Sequence, residues 1–277
     1  EMCIRDRYQP SHLLVPYIDN YWEFKGNPDY GMRIHILPDG CTDFIFTLGE
    51  VANAVEEGSL IMQPYRSYFV GPMTKYSELV TYTESIHMFG VRFLPCGLSC
   101  FTNLPLHEFV NSRVSTNEMK AVFDDTFIEK LGEQKHVTDR IRVVEEYLLA
   151  YLARHYQPAD SHVAMAVNMI NHSKGKRSVR SLMDDVCLCQ RHFERKFKHY
   201  TGFTPKEYSR IVKFKNAVEL LRTTTSANLL TTAVDAGYYD LAHFSKEIKS
   251  MSGNTPASFL SLTVPEETTL TYIEPQR

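Results

Sequence analysis

Ser178-Val-Arg-Ser-Leu-Met-Asp-Asp-Val186, Cys187-Leu188-Cys189, Gln190-Arg-His-Phe-Glu-Arg-Lys-Phe-Lys198 reads as a short helix, a tight turn and a second helix. The pattern returns downstream as a helix at Leu229-Leu-Thr-Thr-Ala-Val-Asp-Ala236, a turn at Gly237-Tyr238 and a helix over Asp240-Leu-Ala-His-Phe-Ser-Lys-Glu-Ile-Lys249. Two short helices joined by a three- or four-residue turn make a helix-turn-helix, whose second helix fits the major groove of DNA. At 100° per residue, Phe193 and Phe197 form a buried stripe in the first copy, and Arg191, Arg195 and Lys198 fall opposite, with Glu194 on the flank. In the second copy Phe244 and Ile248 are the buried pair. Ala242, Lys246 and Lys249 point away from them, with Ser245 beside and Leu241 nearer the edge of the buried stripe. One amphipathic pair with solvated charges would be ordinary; two copies with polar stripes in register point to nucleic acid.

Between the copies, Thr204-Pro205-Lys206-Glu207 is a capping box with proline at the first helical position. A helix starting there carries Tyr208, Ile211, Val212, Val218 and Leu221 at helical spacing until the run Thr223 to Ser226 stops it. At 1.5 Å per residue it spans roughly 27 Å, of the order of the ~34 Å between successive major grooves on one face of DNA.

These residues resemble the C-terminal DNA-binding domain of the AraC/XylS family of bacterial transcription regulators. The resemblance is carried above all by Ala236-Gly237-Tyr238-Tyr239-Asp240-Leu241-Ala242-His243-Phe244 and Gly253-Asn-Thr255-Pro256-Ala-Ser-Phe259. The first copy departs from the family pattern: Cys187 stands where glycine is common, Cys189 where a serine usually caps the reading helix, and Met183 where a small residue is common. What the resemblance implies is sequence-specific binding of double-stranded DNA and transcription regulation, with RNA polymerase as a further candidate partner and no catalysis. Arg191, Arg195 and Lys246 are the first candidates for base contact, since an arginine fork matches both acceptors of guanine. Ala242, Ser245 and Leu241 offer apolar or weakly polar contacts, and Glu194 can accept from cytosine. Gln190, Lys198, His243 and Lys249 suit the phosphate backbone, which positions a protein without reading sequence.

Charge is divided along the chain. Residues 174–262 carry 15 Lys and Arg against 8 Asp and Glu, a balance of +7, while the remainder carries −10, giving the net −3. A basic C-terminal unit beside an acidic N-terminal one argues for a nucleic-acid partner at one end only. No run approaches the length of a membrane span, and no apolar signal core follows a basic start, so a cytoplasmic protein is expected. The six cysteines (3, 41, 96, 100, 187 and 189) are scattered in a way that favours free, largely buried thiols over disulfides or a metal site.

Outside the repeats the pattern changes to strands. Glu1 to Arg7 joins no later pattern and is excluded from the expected fold. His12 to Phe24 is rich in apolar residues, including Trp22, and should enter a core. Met32 to Leu37 and Cys41 to Leu48 flank Pro38-Asp39-Gly40 as a hairpin, and strand-like runs follow at Ser59–Gln63, Ser67–Val70, Glu78–Thr83 and Ile86–Phe93. Such spacing indicates a sandwich or small barrel. Leu37-Pro38-Asp39-Gly40-Cys41-Thr42-Asp43, Val70-Gly71-Pro72 and Gly90-Val91-Arg92-Phe93-Leu94-Pro95 are similar to a cupin-like N-terminal domain found attached to AraC-type DNA-binding domains, which implies a regulatory module with no known ligand.

Tyr21, Trp22, Phe44, Phe46, Tyr65, Tyr68, Phe69 and Phe93 either line a cavity for a small effector or fill the core. His35 and His87 stand alone, without the paired histidines of a metal-binding cupin, and Asp39 and Asp43 suit turn capping better than acid/base work. Helices are expected at Asn117–Leu131 and Thr138–His155. The apolar stripe of the second (Ile141, Val144, Leu148, Tyr151 or Leu152) either seals the barrel or pairs with another subunit, and the family resemblance tilts towards a homodimer. Ser173 to Arg177 is a basic loop suited to phosphate.

The expected fold class is thus α+β multidomain: an N-terminal β-barrel, cupin-like domain over 8–135, a helical connector over 136–160, an all-α double helix-turn-helix domain over 161–262 and a tail over 263–277. The rival functions are a non-specific DNA binder and a cupin-type small-molecule enzyme tethered to DNA.

Overall fold

A computed structural model describes residues 4–51, 53–54, 61–83, 85–119, 122–123, 125–155, 157–186, 188–223, 229–257 and 271–273. The N-terminal half forms two antiparallel sheets. The first has the order β1-β2-β8-β4-β6-β9, from Ile4–Tyr8, Ile18–Gly26, Ile86–Phe93, Thr42–Thr47, Ser67–Val70 and Arg113–Ser115. The second has the order β10-β3-β7-β5, from Thr271–Ile273, Arg33–Ile36, Ser77–Val80 and Asn53–Ala54. Among the described residues neither sheet returns to its first strand, so the expected barrel is corrected to a pair of open sheets. Ile4 to Arg7, from the segment excluded at the outset, form β1 together with Tyr8 and pair antiparallel with β2. Three residues of the expected tail pair with β3. No strand forms over 61–63 of the run expected at Ser59–Gln63, and residues 59–60 lie outside the described residues.

The first sheet is the middle layer. Successive residues of a strand point to opposite faces, and here both faces are buried. On one face Tyr21, Phe44, Phe46, Phe69, Phe89, Val91 and Phe93 meet Phe127 of α1 (Asp125–Gly132) and Val144 and Leu148 of α2 (Val137–His155). On the other, Trp22, Phe24, Ile45, Tyr68, Val70 and Met88 meet Ile34 and Leu79 of the second sheet. The candidate cavity lining is therefore split between two cores: Trp22 and Tyr68 face one way, while Tyr21, Phe44, Phe46, Phe69 and Phe93 face the other. Their rings fill space, with Phe44 at 5.1 Å from both Phe69 and Phe123. Tyr65 belongs to neither, being 67% exposed. Leu13 and Val15 of the apolar segment are also exposed, while Leu14 and Ile18 are buried.

Gly90 permits the close approach of Trp22, since a Cβ there would fall 2.0 Å from the indole Cε2. The indole Nε1 donates to Asp43 at 2.7 Å, and Arg92 bridges Asp43 and Asp39, both at 2.8 Å. Asp39 caps its turn by accepting from the Cys41 amide at 2.9 Å, as the sequence led us to expect; Asp43 instead holds Arg92 and Trp22. The lone histidines are paired: His87 Nε2 sits 3.0 Å from Glu23 Oε1, and His35 lies 3.5 Å from Glu78 and stacks on Tyr76. The stripe of α2 is used inside the chain, with Val144 and Leu148 fully buried against the first sheet. The helix expected over Asn117–Leu131 is shorter, with a single 3-10 turn at Thr116–Glu118 and α1 starting at Asp125.

The C-terminal half is helical: α3 (Ser161–His172), α4 (Val179–Val186), α5 (Gln190–Thr201), α6 (Pro205–Thr223), α7 (Leu229–Asp235) and α8 (Leu241–Ser252). Its core takes Phe193, Phe197, Phe214, Val218, Phe244 and Ile248, and it also takes Leu37 and Cys96 from the sheet domain. Across the same junction Lys215 Nζ donates to the Asp39 carbonyl at 3.4 Å.

Candidate nucleic-acid interface

The two helix-turn-helix units repeat with an offset of 51 residues, and the repeat extends to single hydrogen bonds. Thr201 and Ser252 occupy equivalent positions, and each hydroxyl donates to a carbonyl one turn back, Phe197 and Ile248, both at 2.7 Å. Gly202 and Gly253 follow in the left-handed conformation at φ 84° and 81°, where glycine carries no Cβ penalty, and their amides bond Lys198 O and Lys249 O. Each second helix is also tied by an ion pair to the helix that precedes its own unit, α3 or α6, and the two pairs have opposite polarity. Lys196 reaches Asp160 at 2.6 Å in the first unit, and Glu247 takes both arms of Arg210, at 3.1 and 2.9 Å, in the second.

Caps differ between the copies. Asp240 accepts from the His243 amide at 2.7 Å, whereas Cys189 at the same position of α5 makes no side-chain cap. The Cys189 thiol is exposed, while Cys41, Cys96 and Cys100 are buried free thiols. Cys187 lies outside the described residues, as does Phe259.

The side chains singled out from the sequence fall on the outer faces and flanks of α5 and α8. Arg191, Arg195, Lys198, Ala242, Lys246 and Lys249 are exposed on the faces opposite Phe193, Phe197, Phe244 and Ile248, which are fully buried. Gln190 and Leu241 begin the two helices and are exposed, Leu241 at 38%. Glu194 and Ser245 are half-buried on the flank, and Gln190 donates to Glu194 at 2.9 Å. The Arg195 guanidinium is 3.1 Å from His192 Nδ1, a contact the helical wheel did not single out.

The basic loop before α4 is divided. Arg177 is taken up by Ser181 and Asp185 on α4, so it does not present a free charge. Lys174 and Lys176 remain exposed. The stem of Lys176 lies against the turn of the second unit, where a Cβ on Gly237 would fall 3.0 Å from its Cγ. Lys213 on α6 donates to the Gly237 carbonyl at 3.2 Å and sits 5.6 Å from the centre of the Tyr238 ring. Burial lowers the Lys213 pKa, Glu247 opposes that, and the neighbouring Lys176 adds to it. Sequence reasoning did not include Lys213, because its partners come from an element 24 residues away.

Among the described residues no helix is long and apolar enough to cross a membrane. No curated protein matches the chain. Two family models do: a domain of unknown function, DUF6597, over residues 6–115 and a helix-turn-helix domain over residues 182–261. Among solved structures, ToxT from Vibrio cholerae is similar at 9% identity with a TM-score of 0.50, covering 87% of this chain and 98% of ToxT. The same protein bound to (E)-4-(8-methylnaphthalen-1-yl)but-3-enoic acid is similar at the same identity, coverage and TM-score. The C-terminal domain of AraT, a response regulator from Geobacillus stearothermophilus, is 20% identical over 39% of this chain and 92% of that domain, with a TM-score of 0.35. At such identities the ToxT likeness describes the arrangement of a sheet domain ahead of a helical one. The chain thus carries a helix-turn-helix domain over residues 182–261 behind a DUF6597 domain over residues 6–115, in the two-part arrangement that ToxT also shows.

Proposed function

We propose that the chain binds double-stranded DNA sequence-specifically, with α5 and α8 in adjacent major grooves of one face. The observation that carries this is the repeated exposure of Arg191, Arg195 and Lys198 on α5 and of Ala242, Lys246 and Lys249 on α8, each opposite fully buried aromatic or aliphatic residues. The nineteen residues of α6 join the two units, and at 1.5 Å each they span about 28 Å, near the repeat of the major groove. Arg191, Arg195 and Lys246 read base edges, Glu194, Ser245, Ala242 and Leu241 add local contacts, and Gln190, Lys198, His243 and Lys249 hold phosphates. Lys174 and Lys176 add charge near the backbone.

The chain works in this reading by binding and not by catalysis, in the cytoplasm where its DNA lies. The sheet domain serves as the regulatory module for a small effector, by analogy with ToxT, one structure of which is described as bound to (E)-4-(8-methylnaphthalen-1-yl)but-3-enoic acid. Contact with RNA polymerase and pairing of two chains on the operator belong to the same reading.

The test is selection from a random duplex pool followed by titration of the selected and scrambled duplexes at two salt concentrations. The expected result is a site with two half-elements about one helical turn apart, bound roughly 10³-fold or more tighter than the scrambled duplex. Equal and steeply salt-dependent binding of both duplexes would leave phosphate contact alone and reject sequence reading.

A further inference from the structure

We propose that the loop Gly71–Tyr76, between β6 and β7, is a spacing gauge. It holds the C-terminal ends of α5 and α8 at a set separation and so determines how far apart the two half-elements of an operator must lie. The inference rests on the reading of α5 and α8 as groove-reading helices.

Both reading helices end on the sheet domain, and they end on the same loop. A Cβ at Gly202, which closes α5, would fall 2.5 Å from Cγ of Pro72 and 3.2 Å from the Leu106 carbonyl. A Cβ at Gly253, which closes α8, would fall 2.7 Å from Cζ of Tyr76. The two helix ends therefore rest on residues four positions apart. A second support lies beside the first, where the rings of His107 and His199 are 6.4 Å apart.

The loop is braced on its far side. Asn111 donates its amide to the Pro72 carbonyl at 2.8 Å, accepts from the Thr74 amide at 2.8 Å and donates through Nδ2 to the Thr74 hydroxyl at 2.8 Å. The Gly71 amide bonds Ser112 O at 3.0 Å, and Tyr76 stacks on buried His35 with the rings 13° from parallel and 5.4 Å apart. A loop cross-linked in this way moves with the sheets and not by itself.

The two helix-turn-helix units share a core built on α6, but that core by itself leaves the distance between the far ends of α5 and α8 adjustable. A shared rest at both distal ends removes that freedom. The rest lies at the C-terminal ends, whereas Arg191, Arg195, Ala242 and Lys246 are exposed along the helices. The gauge thus supports the reading helices without covering those side chains.

The experiment uses the full chain and the selected operator. Duplexes are built with the second half-element displaced by one or two base pairs in each direction, and a further duplex carries one half-element alone. Wild type should favour its best spacing by roughly tenfold or more. Tyr76→Ala and Pro72→Ala should bring that ratio towards unity while affinity for the single half-element stays within about twofold. Folding of each variant is checked by circular dichroism and melting. Should either fail to fold, Tyr76→Trp decides, because a thicker rest must move the optimum spacing. A folded variant with the wild-type spacing profile overturns the proposal and assigns spacing to α6 alone. Loss of single-element affinity in step with the pair also overturns it, since the loop would then only support the reading helices. If the wild-type chain selects no preferred site, the DNA-reading assignment fails first and the gauge with it.

Discussion

Cys189 and Asp240 stand at the same place in the two repeats, and only the aspartate ties down its helix. An N-cap oxygen satisfies an amide that otherwise has no intrahelical partner. Cys189→Ser should therefore stabilise the chain by about 1 kcal/mol, read as a rise in denaturation midpoint without a change in slope. Arg195 faces outward with one arm against His192, and Arg195→Ala should cost about 1–3 kcal/mol on the selected operator and relax preference at one base pair. An equal loss on every duplex would demote it to a phosphate contact. Asp160 adds a pH dependence. Burial by itself raises its carboxyl pKa, but the hydrogen bonds from Lys196 and from the Val163 amide outweigh this and hold it below the usual 3.8. A depressed carboxylate contributes stability that is present above its unfolded pKa and lost as pH falls through the folded one. The chain should lose that contribution on acidification below about pH 4, and Asp160→Asn should flatten this part of the stability curve.

At the scale of elements, α2 shows why one helix can be read two ways from its sequence. Its stripe of Val144 and Leu148 is apolar enough to meet either a second subunit or the chain's own sheet, and it covers the sheet. Arg140 fixes the choice. Its guanidinium reaches Glu23 on β2 at 2.7 Å and donates to the Leu131 and Gln134 carbonyls at the end of α1. Burial by itself raises the Glu23 pKa, yet the hydrogen bond from His87 and the charge of Arg140 bring it below the ordinary value. Breaking a buried pair by removing one partner leaves an uncompensated charge, so Arg140→Ala should cost about 3–5 kcal/mol, measured by chemical denaturation. A negligible loss would mean that water replaces the guanidinium.

Across the whole molecule, the two domains are joined through side chains and not by the connector alone. Leu37 and Cys96 from the sheet domain sit in the core of the helical domain, next to Tyr208 of α6. The buried ion group of Arg92, Asp39 and Asp43 makes the segment bearing Leu37 rigid. Calorimetry should therefore give one cooperative unfolding transition for both domains. Leu37→Ala removes part of the shared core at a cost of about 2–5 kcal/mol and should separate the transition into two. Two transitions in the unaltered chain would show instead that the domains fold independently.

The sequence by itself determined the helical half. Helical periodicity, a capping box and a duplicated turn are local signals, each written within about one turn of the residues it governs. They placed α4 to α8 and both exposed stripes before any contact was known. Only the tertiary structure decided the rest. Alternation alone shows that Tyr21 and Trp22, or Tyr68 and Phe69, point to opposite faces, but whether both faces are covered depends on elements far along the chain. That coverage divided the aromatic residues, which by sequence could line a cavity or fill a core, between two separate cores, and turned the expected barrel into two open sheets. The junction of Pro72, Tyr76, Gly202 and Gly253 was likewise invisible in the linear chain, because loop and helix ends more than a hundred residues apart become neighbours only when both cores have formed and their surfaces close against each other.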